Sequence, residues 1–349
     1  MVKRLLIACA LWLAVGGAIA QERENNWLAF PLAFRSPETG IGIGLAGAYT
    51  FYTNRSDSLS PASIVQAGVA VTQNRQFALY MPFQLFWDSR KWLVQGQVEV
   101  YDFNYLFFGV GNGDFSSERY DTRFDRFRIN ALRRVHKNVY VGPRLWVENW
   151  RLSGFRSRGM LGSGTVEGSE GGLTIDPGLV FFMDGRDNVF FPKDGYLLEA
   201  VAQQAFGDYR YARYRLDGRL YTPLNDAVVW ANQLFLDHTT GTVPFYLMAQ
   251  LGGTGRMRGY YEGQFRDRSA FLVQTEFRLK VYRRWGVNAF WSTGSVGQRL
   301  ADLTETPYRN AGGVGIRFTA DRKKTLNLRL DAAWGRESSG LYFTVGEAF

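Results

Sequence analysis

The sequence predicts an all-β chain that closes into a sixteen-stranded antiparallel transmembrane β-barrel of the outer-membrane type, with one loop folded into its lumen. Apolar and polar side chains alternate along segments of about 10 to 14 residues, whereas typical globular strands have about 5 to 6. Aromatic residues make up 16% of the chain, and glycine is abundant. After the first twenty residues there is no apolar run of about 18 residues, so we expect no transmembrane helix.

The start of the chain has the pattern of a secretory signal peptide. Lys3 and Arg4 form a basic start, Leu5–Val15 is apolar, and Ala18-Ile19-Ala20 has the small residues of a cleavage site. A transmembrane anchor is the alternative, but the apolar run is too short for one. We therefore expect residues 1–20 to be a signal peptide and residues 21–349 to form a single barrel domain.

Composition excludes several classes of function. Cleavage would remove Cys9, the only cysteine, so the mature chain would have no disulfide or thiol chemistry. Only Lys3 and Arg4 of the 41 basic residues lie in the first twenty, so 39 would remain beside 32 acidic residues. The basic residues form no block, which argues against nucleic acid as a partner. The sequence contains no histidine or cysteine cluster that predicts a metal site, and we expect no cofactor.

Strand periodicity is clearest over Leu326–Trp334. Leucine, alanine and tryptophan alternate there with Asn327, Arg329 and Asp331, and successive side chains of a strand point to opposite faces. The same pattern recurs at Trp92–Tyr101, Arg213–Tyr221 and Phe271–Tyr282. A soluble sandwich would also alternate, but long strands, charged inner faces and tryptophans at strand ends favour a barrel with aromatic girdles. These tryptophans are Trp87, Trp92, Trp146, Trp150, Trp285 and Trp334.

The pattern places sixteen strands along the chain. They span residues 27–35, 40–53, 62–73, 75–87, 91–103, 121–134, 138–150, 172–183, 195–206, 209–221, 227–238, 268–282, 285–297, 310–320, 325–336 and 341–349. With both ends of the chain on the periplasmic side, most periplasmic turns are short and the long loops face outward. This asymmetry is typical of outer-membrane barrels.

Arginines on the polar faces of these strands are expected to line the lumen. An ordinary charged wall, balanced by Asp217 and Glu276, is the favoured interpretation, and an anion-selective pore is the alternative. The arginines concerned are Arg213, Arg215, Arg219 and Arg278.

The loop between the eleventh and twelfth predicted strands has an unusual composition. Residues 252–268 read GGTGRMRGYYEGQFRDR, with five glycines and four arginines. Glycine permits tight turns and close packing, and arginine offers a rigid fork of donors that suits a carboxylate. A plain surface loop needs neither in such density. The composition therefore predicts a loop that folds back into the lumen and is fixed there.

Within this loop, Arg256-Met257-Arg258-Gly259-Tyr260 resembles the arginine-glycine-aromatic motif in the sixth outer loop of the BamA/TamA outer-membrane family, also called the bacterial surface antigen family. Ser36–Gly40, Arg186–Asn188 and Gly346–Phe349 resemble that family's first outer turn, its turn after strand 8 and its closing strand. Assembly members of the family carry periplasmic POTRA domains before the barrel. Here only about six residues separate the predicted cleavage site from the first strand, so the chain resembles the stand-alone barrels of the family.

The resemblance implies a role for Arg258. In that family the motif arginine sits inside the barrel and pairs with acids on the following strands, and the matching acid here is Glu276. Periodicity independently places Glu276 on the polar face of its strand. The family's second acid lies in the next strand, where this chain has Ser292, so we expect a single contact.

The chain ends in an aromatic residue. Phe343, Val345 and Phe349 fall on one face of the last predicted strand, as required of the C-terminal signal that assembly machinery recognises. A strand that merely ends in an aromatic residue is the alternative.

The resemblance implies a function in protein assembly or translocation at the bacterial outer membrane. The seam between Trp27–Arg35 and Leu341–Phe349 would admit the client. A passive channel or a structural outer-membrane barrel is the alternative. The implied partners are outer-membrane lipid and lipopolysaccharide, client outer-membrane proteins and, through the C-terminal strand, the assembly machinery. His136 and His238 fall near opposite ends of the predicted barrel, so we do not expect an enzyme.

Overall fold

A computed structural model describes residues 25–54, 60–113, 116–189, 191–321 and 326–349. The main sheet is antiparallel and closes on itself through sixteen strands. They are β1 (Asn26–Ser36), β2 (Gly40–Phe51), β3 (Ser63–Thr72), β4 (Phe77–Trp87), β5 (Trp92–Phe107), β6 (Glu118–His136), β7 (Val139–Ser153), β8 (Gly172–Asp184), β9 (Gly195–Gln204, continued by Phe206–Gly207), β10 (Tyr211–Pro223), β11 (Val228–Gly241), β12 (Ser269–Tyr282), β13 (Trp285–Gly297), β14 (Arg309–Asp321), β15 (Leu326–Gly335) and β16 (Ser338–Val345). The predicted fold is confirmed.

The outer surface of the barrel is apolar and the inner surface is polar. On β13, exposed Trp285, Val287 and Trp291 alternate with buried Asn288 and Ser292. This arrangement is the reverse of a water-soluble protein, and it suits a wall with hydrocarbon outside and water inside. Among the described residues, no helix is long and apolar enough to cross a membrane.

The outer end of the lumen is filled by an aromatic cluster, which we call the aromatic cap. It consists of Phe107, Tyr120, Phe124, Trp150, Leu161, Ala205, Tyr211, Val243, Phe245, Tyr246 and Leu247. The cap explains why β5 and β6 run beyond their predicted ends, to Phe107 and from Glu118. Their outer extensions pack against loop residues instead of facing lipid. The expectation that Trp146 and Trp150 belong to the girdle is wrong, because both are buried.

The barrel is least paired where its first and last strands meet. β1 pairs with β2 along its whole length, from Asn26 opposite Thr50 to Ser36 opposite Gly40. Among the described residues, its only pair with β16 is Arg35 opposite Phe343. With the residues that the structure describes, the remaining edge of β1 therefore does not form the ladder of hydrogen bonds that joins the other neighbouring strands.

The last strand is shorter than predicted. β16 ends at Val345 instead of residue 349, and Gly346 has a φ of +87°, a conformation open to glycine. Residues 346–349 then turn into the lumen. Phe349 therefore does not continue the face of Phe343 and Val345; its side chain is only 5% exposed and packs against Tyr221 and Ala231.

Candidate functional site in the barrel lumen

The loop between β11 and β12 runs through the lumen, as predicted. Its sides pair as a short hairpin, Ala249–Leu251 against Phe265–Asp267, and residues 252–264 lie between them. Apolar loop residues pack against inward-facing residues of β11 to β14. This buried cluster contains Phe235, Ala249, Leu251, Met257, Tyr260, Phe265, Ala270, Leu272, Val296 and Ala311. Burial of these side chains holds the loop inside the barrel.

Gly259 marks the closest approach of the loop to β15. Its φ is +111°, and a Cβ there would lie 2.9 Å from the carbonyl carbon of Trp334 and 3.0 Å from the nitrogen of Gly335. The space excludes any side chain, which explains the glycine of the motif. The N–H of Gly259 donates a 3.0 Å hydrogen bond to the hydroxyl of Tyr342 on β16.

Arg258 joins the loop to three strands. Its side chain is 2% exposed and donates to Glu276 on β12 and to Asp331 on β15. Its guanidinium also lies 3.5 Å from the ring centroid of Phe290 on β13. Charge-assisted hydrogen bonds of this kind are about twice as strong as neutral ones. The structure thus brings the motif arginine and its expected partner Glu276 together.

The expectation of a single acidic contact for Arg258 is wrong. Ser292 does occupy the position of the missing acid on β13, and its hydroxyl donates to the carbonyl of Ala311 at 3.3 Å. Asp331 supplies the second carboxylate from β15 instead. Periodicity had placed Asp331 on the polar face of its strand, but a strand pattern gives no indication of which loop residue reaches it.

Glu276 and Asp331 belong to a larger buried group of charges, which we call the arginine–carboxylate network. Arg317 on β14 donates to both carboxylates, at 2.9 Å and 2.7 Å. It also bonds at 3.0 Å to Glu347 in the turned-in C-terminal segment. The full network contains Arg258, Glu276, Arg278, Arg317, Arg329, Asp331 and Glu347. The loop and the C-terminal segment are therefore bonded to the same buried charges.

The other motif residues also contact the wall. The hydroxyl of Tyr260 donates to the carbonyl of Asn310 at 3.0 Å and accepts the N–H of Arg336 at 2.9 Å. Met257 has a φ of +72° and is fully buried in the apolar cluster. Arg256 points away from the network and lies over the ring of Phe235, 4.1 Å from its centroid.

The loop also contacts the outer turn beside the seam. The N–H of Glu262 donates to the carboxylate of Glu38 at 2.8 Å, and Glu38 lies in the turn between β1 and β2. Ser36 and Thr39 brace this turn with a 3.0 Å bond between their hydroxyls. One loop therefore bridges β12 and β15 to the strand that borders the seam.

The four lumenal arginines named from the sequence all lie beside carboxylates. Arg213 and Arg215 share Asp237, at 2.9 Å and 2.8 Å. Arg219 pairs with Asp217 at 2.7 Å, and Arg278 pairs with Glu276 at 2.9 Å. This pairing fits an ordinary charged wall. Sequence reasoning missed Asp237, although its place on a long strand next to two opposing arginines was a usable signal.

The three residues of the expected assembly signal are separated in the folded chain. Phe343 and Val345 stay on β16, whereas Phe349 lies in the lumen, where its main-chain oxygen accepts a 2.9 Å hydrogen bond from Arg278. An assembly signal would be recognised before the barrel folds, so the burial of Phe349 in the folded chain does not test it, and the signal remains a prediction.

Deletion of Phe349 should lower the amount of barrel in the outer membrane severalfold if the residue is an assembly signal. Tyr221→Ala is the matched control, because it removes the packing partner of Phe349 and leaves the chain end unchanged. Quantitative immunoblots of membrane fractions would measure both. Normal levels after deletion, or equal losses in the two variants, would refute the signal.

An apolar exterior, an ionic interior and an outer loop fixed inside by an arginine define an outer-membrane-type β-barrel whose lumen holds its own loop. Residues 56–349 match the family model described as the Omp85 superfamily domain, and the chain belongs to this family. The resemblance to the BamA/TamA family read from the motifs is thereby confirmed.

Three solved structures illustrate the shared fold. BamA from Haemophilus ducreyi lacking POTRA domains 1-3 has a TM-score of 0.61 and 12% identity, over 92% of this chain and 70% of that one. CdiB from Acinetobacter baumannii has a TM-score of 0.59 and 13% identity, over 94% and 60%. CdiB from Escherichia coli has a TM-score of 0.61 and 10% identity, over 95% and 63%. The chain thus spans less than two thirds of either CdiB protein. No curated protein matches it in sequence.

Proposed function

We propose that this barrel assists the insertion or translocation of other proteins at the bacterial outer membrane, and that clients engage the seam between β1 and β16. The observation that carries the proposal is the seam itself, where Arg35 opposite Phe343 is the only strand pair among the described residues. Membership of the Omp85 superfamily supports the same function.

The free edge of β1 is suited to a client that is itself becoming a β-strand. Unpaired N–H and C=O groups on a strand edge bind another strand through main-chain hydrogen bonds, with little dependence on client sequence. Such groups are costly within hydrocarbon. Pro31 adds to the weakness of the edge because it has no N–H to donate.

The strand pairs differ widely in the free energy needed to separate them. A backbone hydrogen bond contributes roughly 0.5–1.5 kcal/mol, so the single seam pair contributes about 1 kcal/mol. The continuous β1–β2 ladder contributes on the order of 10 kcal/mol. If the barrel opens to a client, it opens at the seam.

A passive channel is the second candidate, and the contents of the lumen weigh against it. The aromatic cap fills the outer end, and the loop occupies the middle. A solute would have to displace one or both. Neither His136 nor His238 lies in the arginine–carboxylate network, and we assign no enzymatic activity.

We further propose that the exposed apolar band contacts outer-membrane lipid, with lipopolysaccharide around the outer half. The band includes the exposed side chains Leu179, Leu234, Val314 and Ile316. Apolar surface of this extent is unfavourable in water and favourable in a bilayer.

A deletion strain distinguishes assembly from a passive channel. Under assembly, quantitative outer-membrane proteomics should show a selective loss of certain barrel proteins, restored by the intact gene. The purified barrel should give no steady conductance in planar bilayers. A stable open conductance together with an unchanged outer-membrane proteome would establish the channel instead.

A further inference from the structure

We infer that the lumen contains a binding site for a phosphate group, formed between Arg256 on the loop and arginines on the wall of β6, β7 and β10. The site is a cavity of about 400 Å³. Of the described residues, five arginines line it but only two carboxylates, Glu199 and Asp217. The arginines are Arg128, Arg144, Arg215, Arg219 and Arg256.

Arg256 is the central residue of this site. Unlike that of Arg258, its side chain forms no ion pair and no hydrogen bond with any residue that the structure describes, and its guanidinium rests on Phe235. It borders the larger cavity and a neighbouring one of about 230 Å³. Glu262 lines the smaller cavity but makes no ion pair with Arg256 among these residues. The donors of Arg256 are therefore available to a ligand.

The cavity around Arg256 contains further arginines at close range. Arg128 and Arg144 lie 3.9 Å and 4.3 Å from the ring centroid of Trp146. Arg215 lies 5.8 Å from the same centroid and 5.7 Å from that of Phe235, the ring under Arg256. Because Arg128 and Arg144 both lie within 4.3 Å of one ring centroid, their guanidiniums are at most about 8 Å apart. Like charges this close repel one another in a confined, low-dielectric space. A bound anion would relieve this repulsion.

The carboxylates nearby are already shared among the arginines of the wall. Asp237 accepts from both Arg213 and Arg215, and Glu148 accepts from both Arg126 and Arg128. Glu199 pairs with Arg144, and Asp217 pairs with Arg219. The charge of Arg256 consequently has no carboxylate of its own in the part of the chain that the structure describes.

Two buried donors on the wall also lack an acceptor. The Nε of Arg128 and the Nη1 of Arg144 have no hydrogen-bond partner among the described residues, and Arg144 is only 5% exposed. Buried donors without partners are rare, and each requires an explanation such as a bound ion or water. Both residues line the same cavity as Arg256.

The chemistry of the site favours phosphate over a carboxylate. A guanidinium offers paired donors that match two oxygens of a phosphate, and arginine clusters are the usual protein ligands for this group. A phosphate carries up to two negative charges and three or four acceptor oxygens, enough for donors on the loop and on the wall together. A single carboxylate has only two oxygens. The same chemistry would accept free phosphate or the phosphate of a lipid headgroup.

Phosphate in this site would give the loop a second attachment. Arg258 fixes the loop to β12 and β15, and a phosphate held between Arg256 and the arginines of the wall would also fix it to β6, β7 and β10. This inference is independent of the identity of any client and of the proposed function.

Calorimetric titration and thermal unfolding of the refolded full chain, in detergent without phosphate, test the site. Inorganic phosphate should bind and raise the melting temperature. In Arg256→Ala the affinity should fall about tenfold or more, and the thermal shift should largely disappear. The exposed outer-loop arginine that pairs with Asp302 provides the control: Arg299→Ala should keep the full response.

Additional variants and ligands show whether a change in phosphate binding comes from the site itself. Heat-modifiable gel migration verifies that Arg256→Ala is folded, and Arg256→Lys, which keeps the charge without the fork, should respond between alanine and wild type. Binding of glycerol 3-phosphate as well as inorganic phosphate supports a headgroup source, and binding of inorganic phosphate alone supports the free ion. Absence of phosphate binding to wild type, equal responses of wild type and Arg256→Ala, or equal binding of acetate would overturn the inference.

Discussion

Replacing Arg258 by alanine should free the loop from the barrel wall while the barrel itself stays closed. The substitution removes both acidic contacts and the stacking on Phe290. A hydrogen bond to a charged group contributes about 1.5–3 kcal/mol, and the Arg258 side chain makes two of them. Arg278 and Arg317 still bond to Glu276, which limits the loss in the wall. The cost therefore falls on the attachment of the loop.

Limited proteolysis of outer-membrane vesicles measures the release. Trypsin cleaves after arginine, so Arg256, Arg266 and Arg268 provide sites within the loop. These sites should be protected in wild type and cleaved at least tenfold faster in Arg258→Ala, since loss of two such hydrogen bonds, about 3 kcal/mol, raises the open population by more than that factor. Heat-modifiable migration on gels should remain that of a folded barrel.

Two further variants make the test specific. Arg258→Lys keeps the charge but cannot reach both acids with one planar fork, so its cleavage rate should fall between those of wild type and alanine. Arg299 lies in a different, exposed outer loop, so Arg299→Ala should leave the lumenal loop protected from trypsin. If the cleavage rate is the same in wild type and Arg258→Ala, the ionic contacts do not hold the loop.

The strand count could be predicted from the sequence because hydrocarbon imposes a strict requirement on every membrane-spanning strand. Outward side chains must be apolar, so the period of two is unusually regular, and it recurs on each strand. The requirement ends where the strands leave the membrane. There β5 and β6 continue into the aromatic cap, and the alternation no longer marks their ends.

The alternation of apolar and polar residues also could not predict that residues 346–349 turn into the lumen. An alternating sequence around Phe349 fits an outward strand equally well. Gly346 permits the turn into the lumen. Arg317 then stabilises it through Glu347, and Arg278 does so through the main chain of Phe349. Those partners come from strands distant in sequence.

The candidate site was predictable only in part, because some of its residues also come from strands that are distant in sequence. Two signals together identified Arg258 and Glu276. The alternation of side chains places Glu276 on the inner face of its strand, and the family motif indicates that Arg258 of the loop pairs with it. Asp331 required the position of the loop inside the lumen. Gly315 lies on β14 between Asn288 and Asp331, and a Cβ at this position would be 2.0 Å from the Oδ1 of Asp331. Without that glycine, Asp331 could not occupy its place, but a glycine within a strand does not reveal which side chain uses the space.

Closing the seam covalently should reduce the activity of the barrel to that of a deletion strain. Arg35 and Phe343 are directly opposite one another, and facing residues of antiparallel strands have Cα atoms about 4.5–5.5 Å apart, within the range of a disulfide. The pair Arg35→Cys with Phe343→Cys should therefore crosslink β1 to β16. The only native cysteine is Cys9 in the expected signal peptide, so the mature chain should contain no competing thiol.

The neighbouring strand pair offers a matched control. Ala33 lies opposite Ile43 in the β1–β2 ladder, and both side chains are exposed on the outer face. A disulfide from Ala33→Cys with Ile43→Cys joins strands that the proposal keeps together, so it should leave activity intact. Both crosslinks attach β1 covalently to a neighbouring strand. The first joins it to β16 across the seam, and the second joins it to β2.

The measurement is complementation of the deletion strain, read by outer-membrane proteomics with the disulfides oxidised and then reduced. The seam crosslink should abolish recovery of the affected barrel proteins, and reduction should restore it. The seam requires separation of about one backbone pair, whereas every other junction requires the loss of a ladder, so a single covalent bond here removes the least costly route of opening. Full complementation by the oxidised seam variant would show that clients do not pass between β1 and β16.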